Sequence, residues 1–173
     1  MRKTDKPTIY YLPGRGGQLG VGLGQALLDR GYGVTGREVR GDFASWDFSE
    51  QVACVADDVG KHFWRADALV IANSFGAYLL LHALAGKVAF PGRVLILSPI
   101  VGESFDAVSG QSFVPPRAGD LHKLSRAGAY PRPKACEIHV GKDDWQSNPA
   151  SVCLKLPPFT GQFDLLESGR CIL

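Results

Sequence analysis

The sequence predicts an α/β fold: a three-layer sandwich built on a mostly parallel central sheet of about five or six strands. Three observations carry this. Short β-branched and apolar runs alternate along the chain with segments of helical period. Two of the runs, Ala68 to Ala72 and Arg93 to Ser98, are apolar almost throughout, as strands covered on both faces are. The 173 residues, 45% hydrophobic and 21% charged, have the make-up of one ordinary globular unit over residues 1–173.

The elements follow in order. Thr8 to Leu12 is a β-branched and aromatic run that stops at Pro13-Gly14, a buried strand entering a turn. Leu19 to Arg30 reads as a helix closed by Gly31, with Gly20 and Gly24 on one face where they would let it lie close to a sheet. Tyr32 to Val39 is a second strand. Val52, Val55, Ala56, Val59 and Phe63 recur at helical spacing and predict an amphipathic helix. After the strand Ala68 to Ala72 comes a helix, Phe75 to Ala85, and then the strand Arg93 to Ser98. Cys136 to Val140 and Val152 to Leu156 read as further strands. Residues 99–133 break the rhythm: they hold five prolines and no long apolar period. So long a connection inside a compact domain is expected to be a lid-like insert, with a short helix around Asp120 to Arg126.

Charge and composition exclude several classes of function. Nineteen Lys and Arg against seventeen Asp and Glu leave a formal charge of +2, and the one basic stretch, Arg126 to Lys134, is interrupted by prolines. No nucleic acid and no membrane surface is therefore expected as a partner. No apolar run approaches the ~18 residues of a membrane span, and the stretch after the charged Met1 to Lys6 is too short for an export signal. Cys54, Cys136, Cys153 and Cys171 form no CxxC pair and read as reduced thiols, so the expected location is cytoplasmic. No feature speaks to the oligomeric state. Cys136 and His139 lie three apart on a strand and so on opposite faces, which gives no metal site.

Where the third strand meets its helix the sequence reads Ala72-Asn73-Ser74-Phe75-Gly76. Small-x-Ser-x-Gly at a strand-to-helix turn is the pattern of a nucleophile elbow, with Ala in place of the first Gly. The residues two before and two after the serine must be small so that strand and helix can pass. The turn lifts Ser74 Oγ above the sheet edge and aims the Phe75 N–H at an anion forming beside it. The plainer alternative is a serine that caps an ordinary helix.

Here the chain resembles a small α/β-hydrolase. Leu12-Pro13-Gly14-Arg15-Gly16-Gly17 follows the first strand, where this superfamily carries its oxyanion loop, with Pro13 where the family often has His. The match implies a second oxyanion N–H on Arg15 and a place for Gly14 and Gly16 beside the substrate. Leu97-Ser98-Pro99 resembles the end of the strand after the elbow helix. Gly141-Lys142-Asp143-Asp144 resembles the turn that carries the triad acid, which implies that role for Asp144, with Asp143 its neighbour and competitor. The resemblance runs from about Thr8 to Leu166, lacks the first two strands of a full-sized hydrolase, and is to the compact families of the YdeN and retinoblastoma-binding-protein-9 type.

The pattern departs at the base. The triad histidine should follow the last strand, and Gln162 or Phe163 stands in its place; no histidine follows His139. Glutamine cannot take a proton from a serine at neutral pH. His62 precedes the elbow strand, at the wrong end of the sheet. His82 lies eight residues into the helix, ~12 Å along its axis at 1.5 Å per residue. His139 is mid-strand and is expected to be a core histidine with a satisfied hydrogen bond. His122, in the insert, is the candidate substitute base. Phe75, Phe113, Trp145 and Phe163 could line a pocket for a small acyl or aromatic ligand, with Gln162 beside it.

The expected function is thus hydrolysis of a small ester, thioester or amide through Ser74, with no cofactor, and with activity weak or absent for lack of a triad histidine. A non-catalytic ligand-binding protein of the same fold is one alternative. The other is an NAD(P)-binding domain resembling short-chain dehydrogenases, from Gly14-x-x-Gly17-x-x-Gly20 and an acid, Glu38, after the next strand. Its Tyr-x-x-x-Lys pair would have to be Tyr130 and Lys134, with Pro131 and Pro133 forbidding the helix between them.

Overall fold

The computed structural model of the chain describes residues 6–130, 133–141, 143–155 and 170–172. Its main sheet contains β1 (Thr8–Leu12), β2 (Gly33–Gly36), β3 (Leu69–Asn73), β4 (Arg93–Leu97), β7 (Ala135–His139) and β8 (Arg170–Ile172). Their order across the sheet is β2-β1-β3-β4-β7-β8. The first five strands are parallel and β8 runs antiparallel to β7. The helices are α1 (Leu23–Asp29), α2 (Gly41–Ser45), α3 (Phe48–Asp58), α4 (Phe75–Leu84), α5 (Asp120–Arg126) and α6 (Pro149–Lys155), and α3 runs on into a π-turn at Val59–Phe63.

Strand alternation divides the core in two. Tyr10, Leu12, Val70, Ala72, Val94, Ile96, Cys136 and Ile138 point to one face, where Val55, Val59 and Phe63 and the whole of α4 pack on them. All ten residues of α4 are buried, which no amphipathic surface helix would show. Burying each of its leucines is worth about 1.5–3 kcal/mol. The opposite face gathers Ile9, Tyr11 and Ile71 with Leu19, Leu23, Leu27 and Leu95. A part-buried ion pair braces the first face at its edge. Arg37 Nε and Nη2 donate to the two carboxylate oxygens of Asp58 at 2.6 and 2.8 Å, and Tyr10 Oη donates to Asp58 Oδ2 at 2.9 Å. Burial alone would raise the Asp58 carboxyl, but these donors outweigh it and hold the group below the usual carboxylate range.

The insert carries a two-stranded antiparallel hairpin, β5 (Ser104–Phe105) with β6 (Ser112–Phe113), and then α5 over the span the sequence predicts. Two tyrosines fasten it to α4: Tyr78 Oη donates to the Pro116 carbonyl at 2.7 Å, and Tyr130 Oη to the Leu81 carbonyl at 2.8 Å. Leu121 is completely buried in the main core.

Three expectations need correction. The run from Val152, read as a strand, belongs to α6 as far as Lys155. Pro149 occupies its first turn and Asn148 Oδ1 accepts the N–H of Ala150 at 2.9 Å, so a cap and a helix-starting proline override a short apolar alternation. The first helix begins at Leu23, leaving Gly20 outside it with open space around its α-carbon. The close approach is made by Gly24, where a Cβ would stand 1.9 Å from the Leu19 carbonyl oxygen. Finally β2 stops at Gly36, with φ of 147°, where a Cβ would lie 2.0 Å from the Tyr11 carbonyl oxygen.

Candidate functional site

The chain leaves β1 for β2 on one side and returns to β3 on the other, so the crevice beyond their carboxyl ends is a topological switch point, the usual ligand position in open α/β sheets. Ser74 stands there. Its φ of 51° and ψ of −117° are open to glycine and strained for any residue with a side chain, a cost of about 1–3 kcal/mol. The surroundings impose that shape. Ser74 N–H donates to the Leu97 carbonyl at 2.9 Å, and the Ser74 carbonyl accepts from Tyr78 N–H at 3.1 Å and Ile100 N–H at 3.3 Å. Gly76 lets α4 cross the end of β1: a Cβ there would sit 2.4 Å from the carbonyl oxygens of both Leu12 and Pro13. Small residues flank the serine because backbone occupies the space.

The loop after β1 closes on the same point. Gly14 lies against the serine, where a Cβ would be 3.2 Å from Ser74 Cβ and 3.6 Å from Oγ. The next residue but one is fixed by Gly16 N–H donating to the Val39 carbonyl at 2.8 Å, which pins Arg15 between two anchored glycines. Phe75 opens α4, so its N–H has no carbonyl partner within the helix. The Arg15 guanidinium lies 4.3 Å from the centroid of the Phe75 ring and 5.7 Å from that of Phe113. The structure therefore gathers Ser74, Phe75, Gly14, Arg15, Gly16 and Phe113 at one place.

Beside Phe75 and Arg15 opens a cleft of about 290 Å³ whose wall includes Gly16, Arg40, Trp46 and Phe48. Arg40, Trp46 and Phe48 were not expected here; they flank α2 and open α3, a stretch with no motif. Trp145 does not line this cleft. Gln162 and Phe163 lie outside the described residues.

No hydrogen bond joins Ser74 to a histidine, although all four histidines of the chain are among the described residues. His122 sits in α5 with a buried Nδ1 that has no partner among those residues. His82 is buried against Phe48 and Tyr78, and burial pushes its pKa down to about 4. His139, expected in the core, is half-exposed and faces Glu137 at 3.3 Å. Asp144 caps its own turn: Oδ1 accepts the N–H groups of Gln146 and Ser147, both at 3.0 Å. Ser147 Oγ in turn donates to the Pro99 carbonyl at 2.9 Å, tying this turn to the start of the insert. Asp143 is exposed.

The same loops bear on the dehydrogenase alternative. Tyr130 is buried and spends its hydroxyl on the Leu81 carbonyl, while Lys134 is exposed. Glu38 Oε1 accepts the Leu19 N–H at 3.1 Å, and α1 starts well beyond the glycines that would have to deliver a pyrophosphate to its N-terminus.

No protein-family model and no curated protein sequence matches the chain. Among solved structures it is similar to the crystal structure of the ydeN gene product from B. subtilis, with a TM-score of 0.55 and 12% identity, over 88% of this chain and 83% of that one. At that identity the likeness is one of fold: a mostly parallel central sheet covered by helices. No helix among the described residues is long and apolar enough to cross a membrane.

Proposed function

We propose that this protein is a small serine hydrolase acting on ester, thioester or amide bonds, with Ser74 as nucleophile. One observation carries the reading: a non-glycine residue is held in a glycine-type conformation at a switch point, between Gly14, packed against it, and Gly76, whose replacement would clash with backbone. Strain of this kind persists only where the surroundings enforce it, and it clusters at functional sites.

In this reading Ser74 Oγ attacks the carbonyl carbon and its proton passes to a water molecule. The negative charge on the carbonyl oxygen is met by the N–H groups of Phe75 and Arg15. The tetrahedral species collapses with loss of the alcohol, thiol or amine, which takes up the proton carried by that water, and a second water releases the acid from the acyl-serine. No histidine holds the serine proton, so turnover is slow; oxyanion stabilisation and binding alone leave a rate enhancement of ~10³–10⁴ over water in triad-depleted enzymes. His122 is the candidate to take the proton when substrate is bound, and Asp144 the acid of an incomplete triad.

Mass spectrometry of the protein after incubation with p-nitrophenyl acetate, intact and then digested to peptides, tests this. An acetyl group on the peptide containing Ser74, absent from Ser74→Ala and slowed in His122→Ala if that histidine is the base, is the expected result. A second reading, a non-catalytic ligand-binding protein, is favoured by one observation: the Asp144 carboxylate is engaged in capping its own turn. Saturable ligand binding with no acyl-serine would establish it.

A further inference from the structure

The charges around the cleft point to the class of acyl group. Its wall carries two cationic side chains, Arg15 and Arg40, and no carboxylate. Arg15 lies over the rings of Phe75 and Phe113 and makes no ion pair among the described residues. Arg40 has only a loose partner, Glu38 at 3.8 Å, both side chains being nearly half-exposed; the other oxygen of Glu38 is held by the Leu19 N–H. The remaining wall near the elbow is aromatic: Trp46, Phe48 and Phe75. The volume, about 290 Å³, equals that of ~10 water molecules at ~30 Å³ each, enough for one substituted ring.

Resting on the assignment of Ser74 as nucleophile, we infer that the cleft takes an acyl group with a small aromatic body and a carboxylate at its far end, read by Arg40 and Arg15. The ring lies among Trp46, Phe48 and Phe75, and its ester carbonyl extends past Phe75 toward Ser74, which adjoins the cleft and is not part of its wall. Guanidinium groups suit a planar carboxylate because they can donate two parallel hydrogen bonds. Neutral esters of the same shape lose that contact and keep the aromatic one.

The test compares monomethyl terephthalate with dimethyl terephthalate, near-isosteres that differ by one negative charge. Binding to the Ser74→Ala protein, shown folded by circular dichroism, is measured by titration calorimetry. The monoanion is expected to bind about fivefold tighter, a modest gain because the arginines are partly exposed. Arg40→Gln should abolish most of that preference, Arg40→Lys should restore part of it, and added salt should weaken it. Equal binding of the two esters, a preference untouched by Arg40→Gln, or binding of neither would overturn the inference. Fluorophosphonate labelling of wild-type protein is read in parallel. Labelling without a charge preference overturns the cleft assignment alone, and a charge preference without labelling overturns the nucleophile alone.

Discussion

Gly14 and Ser74 touch: a Cβ on Gly14 would lie 3.2 Å from the serine's own Cβ. The loop after the first strand and the turn after the third are thus built around one another. This contact sets the serine against the loop that carries Arg15, and it explains why both loops carry small residues. The rest of the site follows from keeping that contact.

Replacement of Gly76 by Ala should be far more damaging than the same change at Gly20. At Gly76 the added carbon would meet two backbone carbonyl oxygens at 2.4 Å, which cannot move aside as a side chain can. A loss of about 3 kcal/mol or more is expected, against less than ~0.5 kcal/mol at Gly20, where nothing lies within 4 Å. Urea denaturation of the two variants measures the difference.

Ser74→Gly and Ser74→Ala both remove Oγ but differ in strain. Glycine adopts φ of 51° freely, whereas alanine keeps the penalty. After allowing for the greater freedom of glycine in the unfolded chain, Ser74→Gly should be the more stable by about 1 kcal/mol, read as a higher Tm. Equal melting temperatures would mean that the turn stores no strain.

His82 gives the fold an acid-sensitive window. Its folded pKa, about 4, lies below the ordinary 6.5, so above pH 6.5 the ring is neutral in both folded and unfolded chains and contributes nothing to the slope. As pH falls from 6.5 towards 4, the unfolded chain takes up a proton that the folded one refuses, and stability drops. The loss by pH 4 should be about 2 kcal/mol. His82→Leu removes the titrating group and the unpartnered Nε2 together, and should flatten this part of the pH profile of the urea midpoint.

Asp58→Ala should cost more than Tyr10→Phe. Without the carboxylate, the buried Tyr10 hydroxyl and the Arg37 guanidinium both lose their partner, at about 2 kcal/mol. Tyr10→Phe leaves the two Arg37 bonds in place and should cost about 1 kcal/mol. Because the Asp58 carboxyl is held below its ordinary value of 3.8, its contribution is present above that pH and is lost only as pH falls through the lower folded value. The gap between wild type and Asp58→Ala should accordingly be full at pH 7 and shrink below pH 4. Urea midpoints at several pH values report both effects.

Which features could be read from residues alone follows from how local each one is. The strand Thr8–Leu12 and the helix Asp120–Arg126 are marked by their own composition and breakers, and the elbow by the volumes its neighbours can tolerate. In the sequence of α6, three apolar residues at period two imitate a strand, while the helix start is written just before them in Asn148-Pro149. The cleft was hidden for a different reason. Arg40, Trp46 and Phe48 belong to a stretch without period or motif, and only the return of the chain from β2 to α3 brings them beside Phe75. The positions of the four histidines are legible in the sequence, and none follows His139.

The most direct measurement is covalent labelling by a fluorophosphonate, which reports an activated serine without needing the natural substrate. Wild-type protein should be labelled slowly and at Ser74 alone, and folded Ser74→Ala and Ser74→Gly should not be labelled. No labelling of folded wild-type protein, or labelling that survives in Ser74→Ala, would contradict the assignment of Ser74 as nucleophile.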